Sequence, residues 1–182
     1  MRILLINPPR FNGHSIVREM RCVGITSVSI FPPIEFAYLA GHLRKYAEVK
    51  IIDANALNQG FEYIGKEINE FRPQAVIFSA SLPSFSADAQ VAKIAKKIDK
   101  NIKTILLESH VVPVMPGKIK QTFPEIDHLV ILRAQVGMVG VDEVVEIGSM
   151  FDLELFDRLF LVLGFRNGRR IRRHFFGNFG VS

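Results

Sequence analysis

Pro32 to Ala54, PPIEFAYLAGHLRKYAEVKIIDA, sets the grammar of the chain: a turn, an amphipathic helix, a tight break and a strand in one short run. Pro32 and Pro33 disfavour helix before them and permit one directly after, because proline's fixed φ and missing N–H suit a first helical turn. Phe36, Leu39, Ala40 and Leu43 recur at i, i+3, i+4 and i+7, which predicts an apolar stripe along one side. Arg44 and Lys45 follow where cations suit the carbonyl end of the helix dipole. Val49, Ile51 and Ile52 then read as a β-branched strand that stops at Asp53. A helix feeding straight into a short apolar strand is half of a βαβ unit, and Arg2 to Ile6 (RILLI) supplies the other strand.

Asn7-Pro8-Pro9 closes that first strand. From Pro8 to Pro33 no periodicity is sustained, a span well beyond the ~12–15 residues usual for a structureless connection. It reads as a functional loop, with room for a short extended piece within Val23–Phe31. Beyond Ala54, Phe61, Ile64, Ile68 and Phe71 predict a helix ended by Pro73, and Ala75–Ser79 (AVIFS) predicts a buried strand. Ser84 is a candidate N-cap for a long helix with Val91, Ile94, Ala95 and Ile98 inward and Lys93, Lys96, Lys97 and Lys100 outward. Lys103–Leu107, a short helix from Pro116 to about Phe123, and His128–Leu132 complete the alternation.

Strands alternating with helices predict an α/β class, a Rossmann-like or flavodoxin-like three-layer sandwich with a five-stranded parallel sheet in the order 2-1-3-4-5. In such sheets ligands sit beyond the carboxyl ends of the strands, beside strand one. The loops that matter are then Asn7–Gly13, Asp53–Asn58, Ser79–Ser84 and Glu108–Val112. The domain is expected to span residues 1–132. Residues 133–182 read as an extension: a helix opened by Val144, Val145 and Ile147, a possible hairpin around Asn167-Gly168, and a basic tail.

Composition narrows the class of function. An apolar fraction of 48% with 23% charged residues suits a globular protein with ample core. The net charge of +5 is matched by Arg166, Arg169, Arg170, Arg172 and Arg173 in a stretch, Phe165–Ser182, without any acid. A short basic tail of this kind reads as solvated rather than as a nucleic-acid site. No stretch approaches the ~18 apolar residues of a membrane span, and the lone Cys22 supports no disulfide framework, so a cytoplasmic protein is expected.

Nucleotide and metal fingerprints are missing: no G-x-G-x-x-G follows strand one, and there is no G-x-x-x-x-G-K-[ST] or H-E-x-x-H. Without the glycine fingerprint Asp53 reads as a strand cap or turn former. Ser79, Ser81 and Ser84 have no base placed near them by sequence and read as capping and turn residues.

Ile3-Leu4-Leu5-Ile6-Asn7-Pro8-Pro9, Pro32-Pro33 with Ala37-Tyr38-Leu39-Ala40, Val49–Ala54 (VKIIDA) and Phe123-Pro124-Glu125-Ile126-Asp127 together resemble the N-terminal cobalamin-binding domain of radical S-adenosylmethionine (radical SAM) enzymes. The resemblance covers roughly the first 130 residues. It implies a corrin ring across the carboxyl ends of the strands, bordered by Asn7, Pro8 and Pro9 and by Ser79, Ser81 and Leu82. Glu108, Ser109 and His110 would follow strand four, where the cofactor's nucleotide tail is cradled. It also implies a partner, a separate radical SAM catalytic protein.

The chain departs from that family where the cofactor would lie. Relatives carry G-G-x-H after strand four, and here Leu107-Glu108-Ser109-His110 stands in its place. Glycine there lets backbone approach the cofactor closely. The D-x-H-x-x-G motif is absent, so no axial histidine is assigned, and His14 reads as a solvated loop residue. A single cysteine cannot supply the C-x-x-x-C-x-x-C loop of an iron–sulfur cluster, so no such cluster and no catalysis by the chain alone are expected. Residues 133 to about 161 read as diverged or in a shifted frame, as in a truncated or diverged relative. Two readings stand: a cobalamin-binding module without its catalytic domain, or a structural or interaction protein that keeps the fold and has lost the site.

Overall fold

The computed structural model describes residues 1–18, 24–26, 30–108, 116–132 and 144–147. Ser109, His110, Cys22, the hairpin expected around Asn167-Gly168 and the basic tail lie outside the described residues.

Strand β1 (Arg2–Asn7) is the centre of the fold. Ile3 to Ile6 are all fully buried, and they divide by parity. Leu4 and Ile6 join one core cluster, Ile3 and Leu5 the other. Side chains alternate across a strand, so a run that is apolar at every position is a strand covered on both faces. β1 pairs in parallel with β4 (Glu48–Asp53) on one side and β5 (Ala75–Ser79) on the other. β6 (Lys103–Glu108), β7 (His128–Leu132) and β8 (Val144–Ile147) extend the sheet, giving the order β4-β1-β5-β6-β7-β8. The first five of these strands stand in the expected 2-1-3-4-5 order. The sixth is a correction: Val144, Val145 and Ile147 form β8, hydrogen-bonded parallel to β7, and do not open a helix. Three β-branched residues in a row of four suit an extended strand better than a helix.

Helix α1 (Ile34–Leu43) buries Phe36, Leu39 and Leu43 against one face of the sheet. On the other face lie α2 (Phe61–Phe71) and α4 (Gln90–Ile98), and Ile119 of α5 (Pro116–Thr122) joins their core. β4 is an edge strand, which explains why its Ile51 stays 38% exposed although Ile52 is buried. The long helix expected after Ser84 is broken: a short α3 (Phe85–Asp88) precedes α4.

The Phe123–Asp127 motif is a brace. Asp127 Oδ2 accepts from Lys96 Nζ at 2.6 Å and from the Thr104 N–H at 2.8 Å, and the Asp127 N–H returns to Thr104 Oγ1 at 3.0 Å. Lys96 is thus an anchor of the β6–β7 entrance and not a member of a solvated lysine face. Burial pushes the Asp127 carboxyl up, but Lys96 and Thr104 outweigh it and hold it below the ordinary range. Asp127→Ala is expected to cost about 2–3 kcal/mol, the loss of a charge-assisted network, measured by urea unfolding.

A second pair joins α2 to the edge strand. Lys50 Nζ meets Glu67 Oε2 at 2.5 Å, which holds the Glu67 carboxyl below its ordinary range and the Lys50 ammonium above its own. The depressed carboxyl contributes stability above its unfolded value and loses it as pH falls through the folded one. The raised ammonium contributes below its unfolded value and loses it as pH climbs through the folded one. With the Lys50 side chain 42% exposed, the pair contributes only about 0.5–1 kcal/mol. The melting-temperature difference between the native chain and Lys50→Met is therefore expected to stay flat from about pH 5 to about pH 10 and to shrink outside that window.

Candidate functional site at the carboxyl ends of β1, β4 and β5

The segment after β1 is more ordered than its lack of periodicity suggests. Asn12 and Gly13 both take positive φ, at 49° and 79°, between a Phe11–His14 bridge. This is the two-residue turn that Asn-Gly favours, and the dipeptide was the sequence signal for it. β2 (Ser15–Val17) then pairs antiparallel with β3 (Gly24–Thr26), inside the stretch read as loop with one extended piece.

Asn55 holds this hairpin to the end of β4. It is 1% exposed, accepts from the Ile16 N–H at 3.0 Å, and donates to Ser15 Oγ at 3.2 Å and the Ile16 carbonyl at 3.3 Å. Asp53 is a turn former, accepting from the Ala56 N–H at 2.9 Å. The same oxygen accepts from Asn7 Nδ2 at 2.9 Å, which ties β4 to the end of β1.

Arg18 lies at the centre, its side chain 1% exposed. Its guanidinium donates to Asn7 Oδ1 at 3.2 Å and to the carbonyls of Pro8 at 3.0 Å and Pro9 at 2.6 Å. It also forks onto Asp88, to Oδ1 at 2.8 Å and Oδ2 at 3.1 Å. Asp88 Oδ2 further accepts from Ser84 Oγ at 2.6 Å and the Ser81 N–H at 3.2 Å. Ser84 is therefore no helix cap: its hydroxyl serves Asp88, and Ser81 Oγ lies 2.7 Å from it. Burial pushes the Asp88 carboxyl up, while Arg18, Ser84 and the Ser81 N–H pull the other way.

The structure brings Asn7, Pro8, Pro9, Ser79, Ser81 and Leu82 together at the switch point beside β1. Asn7, Ser79 and Ser81 are buried, at 5%, 3% and 5% exposure, and Leu82 is 60% exposed. Glu108 closes β6 on the same edge of the sheet. Leu107 is 5% exposed and packs in the α1-side core. Sequence reading missed Arg18, Asp88 and Asn55.

Around this polar floor the carboxyl face carries exposed apolar residues: Phe31 at 55%, Ile34 at 46%, Leu57 at 57% and Leu82 at 60%. Three of the four follow from topology, since Leu57 and Leu82 lie just beyond the ends of β4 and β5 and Ile34 opens the helix that returns from this end. A cleft of about 570 Å³ lined by Arg2, Arg72, Gln74 and Asn101 lies at the opposite, amino-end pole. Among the described residues no cluster of His, Cys, Asp and Glu is arranged to hold a metal ion.

Residues 20–141, more than half of the chain, match the model of the B12 binding domain. The chain belongs to the B12 binding domain family. It is 38% identical over 111 residues to an uncharacterized methyltransferase of Pyrococcus horikoshii and 28% identical over 132 residues to the anaerobic magnesium-protoporphyrin IX monomethyl ester cyclase of Rubrivivax gelatinosus. These alignments cover 61% and 71% of the chain but only 22% of each relative, so the chain spans about a fifth of their length. As a B12 binding domain it carries the parallel sheet expected of one. Among the described residues no helix is long and apolar enough to cross a membrane.

Proposed function

We propose that the chain is a corrinoid-binding module that works with a catalytic unit outside it, of the radical SAM type. The observation that carries this reading is the family match over residues 20–141, and a carboxyl-end face with an apolar rim and a hydrogen-bonded floor supports it. The donor set is consistent with such a group: the polar side chains of Asn7, Arg18, Ser81, Ser84 and Asp88 are engaged with one another or with nearby backbone, so the face offers apolar contact and shape to a macrocycle that brings its own metal. Leu82, with Leu57, would meet the corrin edge, while Asn7, Pro8, Pro9, Ser79 and Ser81 would shape the surface beneath it. Glu108, Ser109 and His110 would border the nucleotide tail. Cobalamin supplies group-transfer or radical chemistry when bound, and the protein supplies binding and orientation. The partner is inferred from the relatives, named as a methyltransferase and a cyclase, in which a segment like this chain is 22% of the whole.

One observation favours a second reading, a scaffold that keeps the fold without the cofactor. Leu107 is built into the core where the resemblance to the radical SAM-associated domains implies glycine, and the residue that follows it is a bulkier, charged Glu108. A ligand that binds only the folded chain raises its stability, by about 2.7 kcal/mol at a hundredfold excess over the dissociation constant. Hydroxocobalamin is expected to raise the melting temperature in a concentration-dependent way. No shift at high micromolar cofactor supports the scaffold.

A further inference from the structure

The structure assigns Arg18 the role of a positioning residue, whose buried guanidinium locks the Asn7–Pro9 turn to the Ser81–Asp88 turn and presets the face beyond β1 and β5 as one rigid surface. Its importance to a corrinoid rests on the reading above, but the lock itself does not.

Pro8 and Pro9 are buried, and their carbonyls must find donors within the protein. Arg18 supplies both, along with a donor to Asn7 Oδ1. The guanidinium is a planar fork, so serving these three acceptors from one edge fixes where its other edge points. That other edge meets Asp88, at 2.8 and 3.1 Å. Asp88 in turn holds the turn after β5 through Ser81 and Ser84. β1 and β5 are neighbours in the sheet, and parallel sheets of this order bind ligands beyond the carboxyl ends of such a central pair. One side chain thus spans both turns. Space filling alone does not require this arrangement, since a buried ion pair can often be replaced by neutral groups of similar volume at little cost. What a neutral replacement cannot do is keep the Asn7, Pro8 and Pro9 acceptors aimed at a common point.

The paired variant R18M/D88N separates lock from fold. The amide introduced at position 88 would retain an oxygen for Ser81 and Ser84, while the donors to Asn7, Pro8 and Pro9 disappear. Amide hydrogen exchange of the full chain without ligand is the readout. Exchange across residues 10–16 and 81–88 is expected to rise by about tenfold or more, with α2 and α4 still protected as in the native chain. Unchanged exchange in both turns, with the helices protected, would overturn the proposal. If R18M/D88N does not fold, R18K serves: its ammonium pairs with Asp88 but cannot fork to the other acceptors, so the same rise is expected, and its absence overturns the lock. Hydroxocobalamin affinity is measured on the same samples. A native chain that fails to bind, while the turns loosen as described, refutes the corrinoid reading and leaves the lock standing. A native chain that binds, with R18M/D88N or R18K binding equally well, overturns the role of the lock in presetting the surface.

Discussion

Asp88→Ala is expected to destabilise the chain by about 3–5 kcal/mol, the cost of leaving a buried charge without its counter-ion. Arg18 is held at 1% side-chain exposure, and no water-facing rotamer is open to it without tearing the Asn7–Pro9 turn from its donors. The change also leaves the Ser81 N–H and the Ser84 hydroxyl without the oxygen they share. In a domain of this size the melting temperature would fall by about 8–15 °C, read by calorimetry alongside urea titration. A loss below about 1 kcal/mol would mean that Arg18 finds solvent readily and that the network is peripheral.

The second large effect is on binding. Leu57→Asp with Leu82→Asp is expected to lower hydroxocobalamin affinity by about a hundredfold while changing folding stability by no more than about 0.5 kcal/mol. Both leucines already stand mostly in water, at 57% and 60% exposure, so the fold loses little when they become polar. Against a bound macrocycle the balance reverses. Burying the exposed part of two leucines contributes roughly 2–3 kcal/mol, and the introduced carboxylates add desolvation cost. Isothermal titration gives the affinity and urea unfolding the stability. Equal affinity in the variant would place the cofactor away from this rim.

Most of the scaffold was legible in the sequence because short apolar runs bounded by turn residues, such as RILLI and AVIFS, read as strands covered on both faces. The parity of Ile3–Ile6 across the two core clusters is the physical reason that RILLI reads so clearly. The motif residues that carried the family resemblance turned out to hold scaffold. Asp127 braces β6 against β7, Asp53 forms the turn after β4, and Leu39 packs α1. The polar floor was not legible for a different reason. Arg18 and Asp88 lie 70 positions apart and meet only because β1 and β5 are neighbours, so no short-range pattern announces them. Ser84 was misread because a serine before a helix usually caps it, and here a carboxylate four residues on competes for the same hydroxyl. Asn12-Gly13 was readable and points to a turn where lack of periodicity suggested only a loop.

Equilibrium dialysis of the full chain against hydroxocobalamin, followed through the corrin absorption bands, tests the central claim most directly. Retention approaching one cofactor per chain, with a dissociation constant at or below about 10 μM, is the predicted result. Equal cofactor on both sides of the membrane at high micromolar concentration, with the chain shown to be folded, would contradict it and leave a B12 binding domain fold without B12.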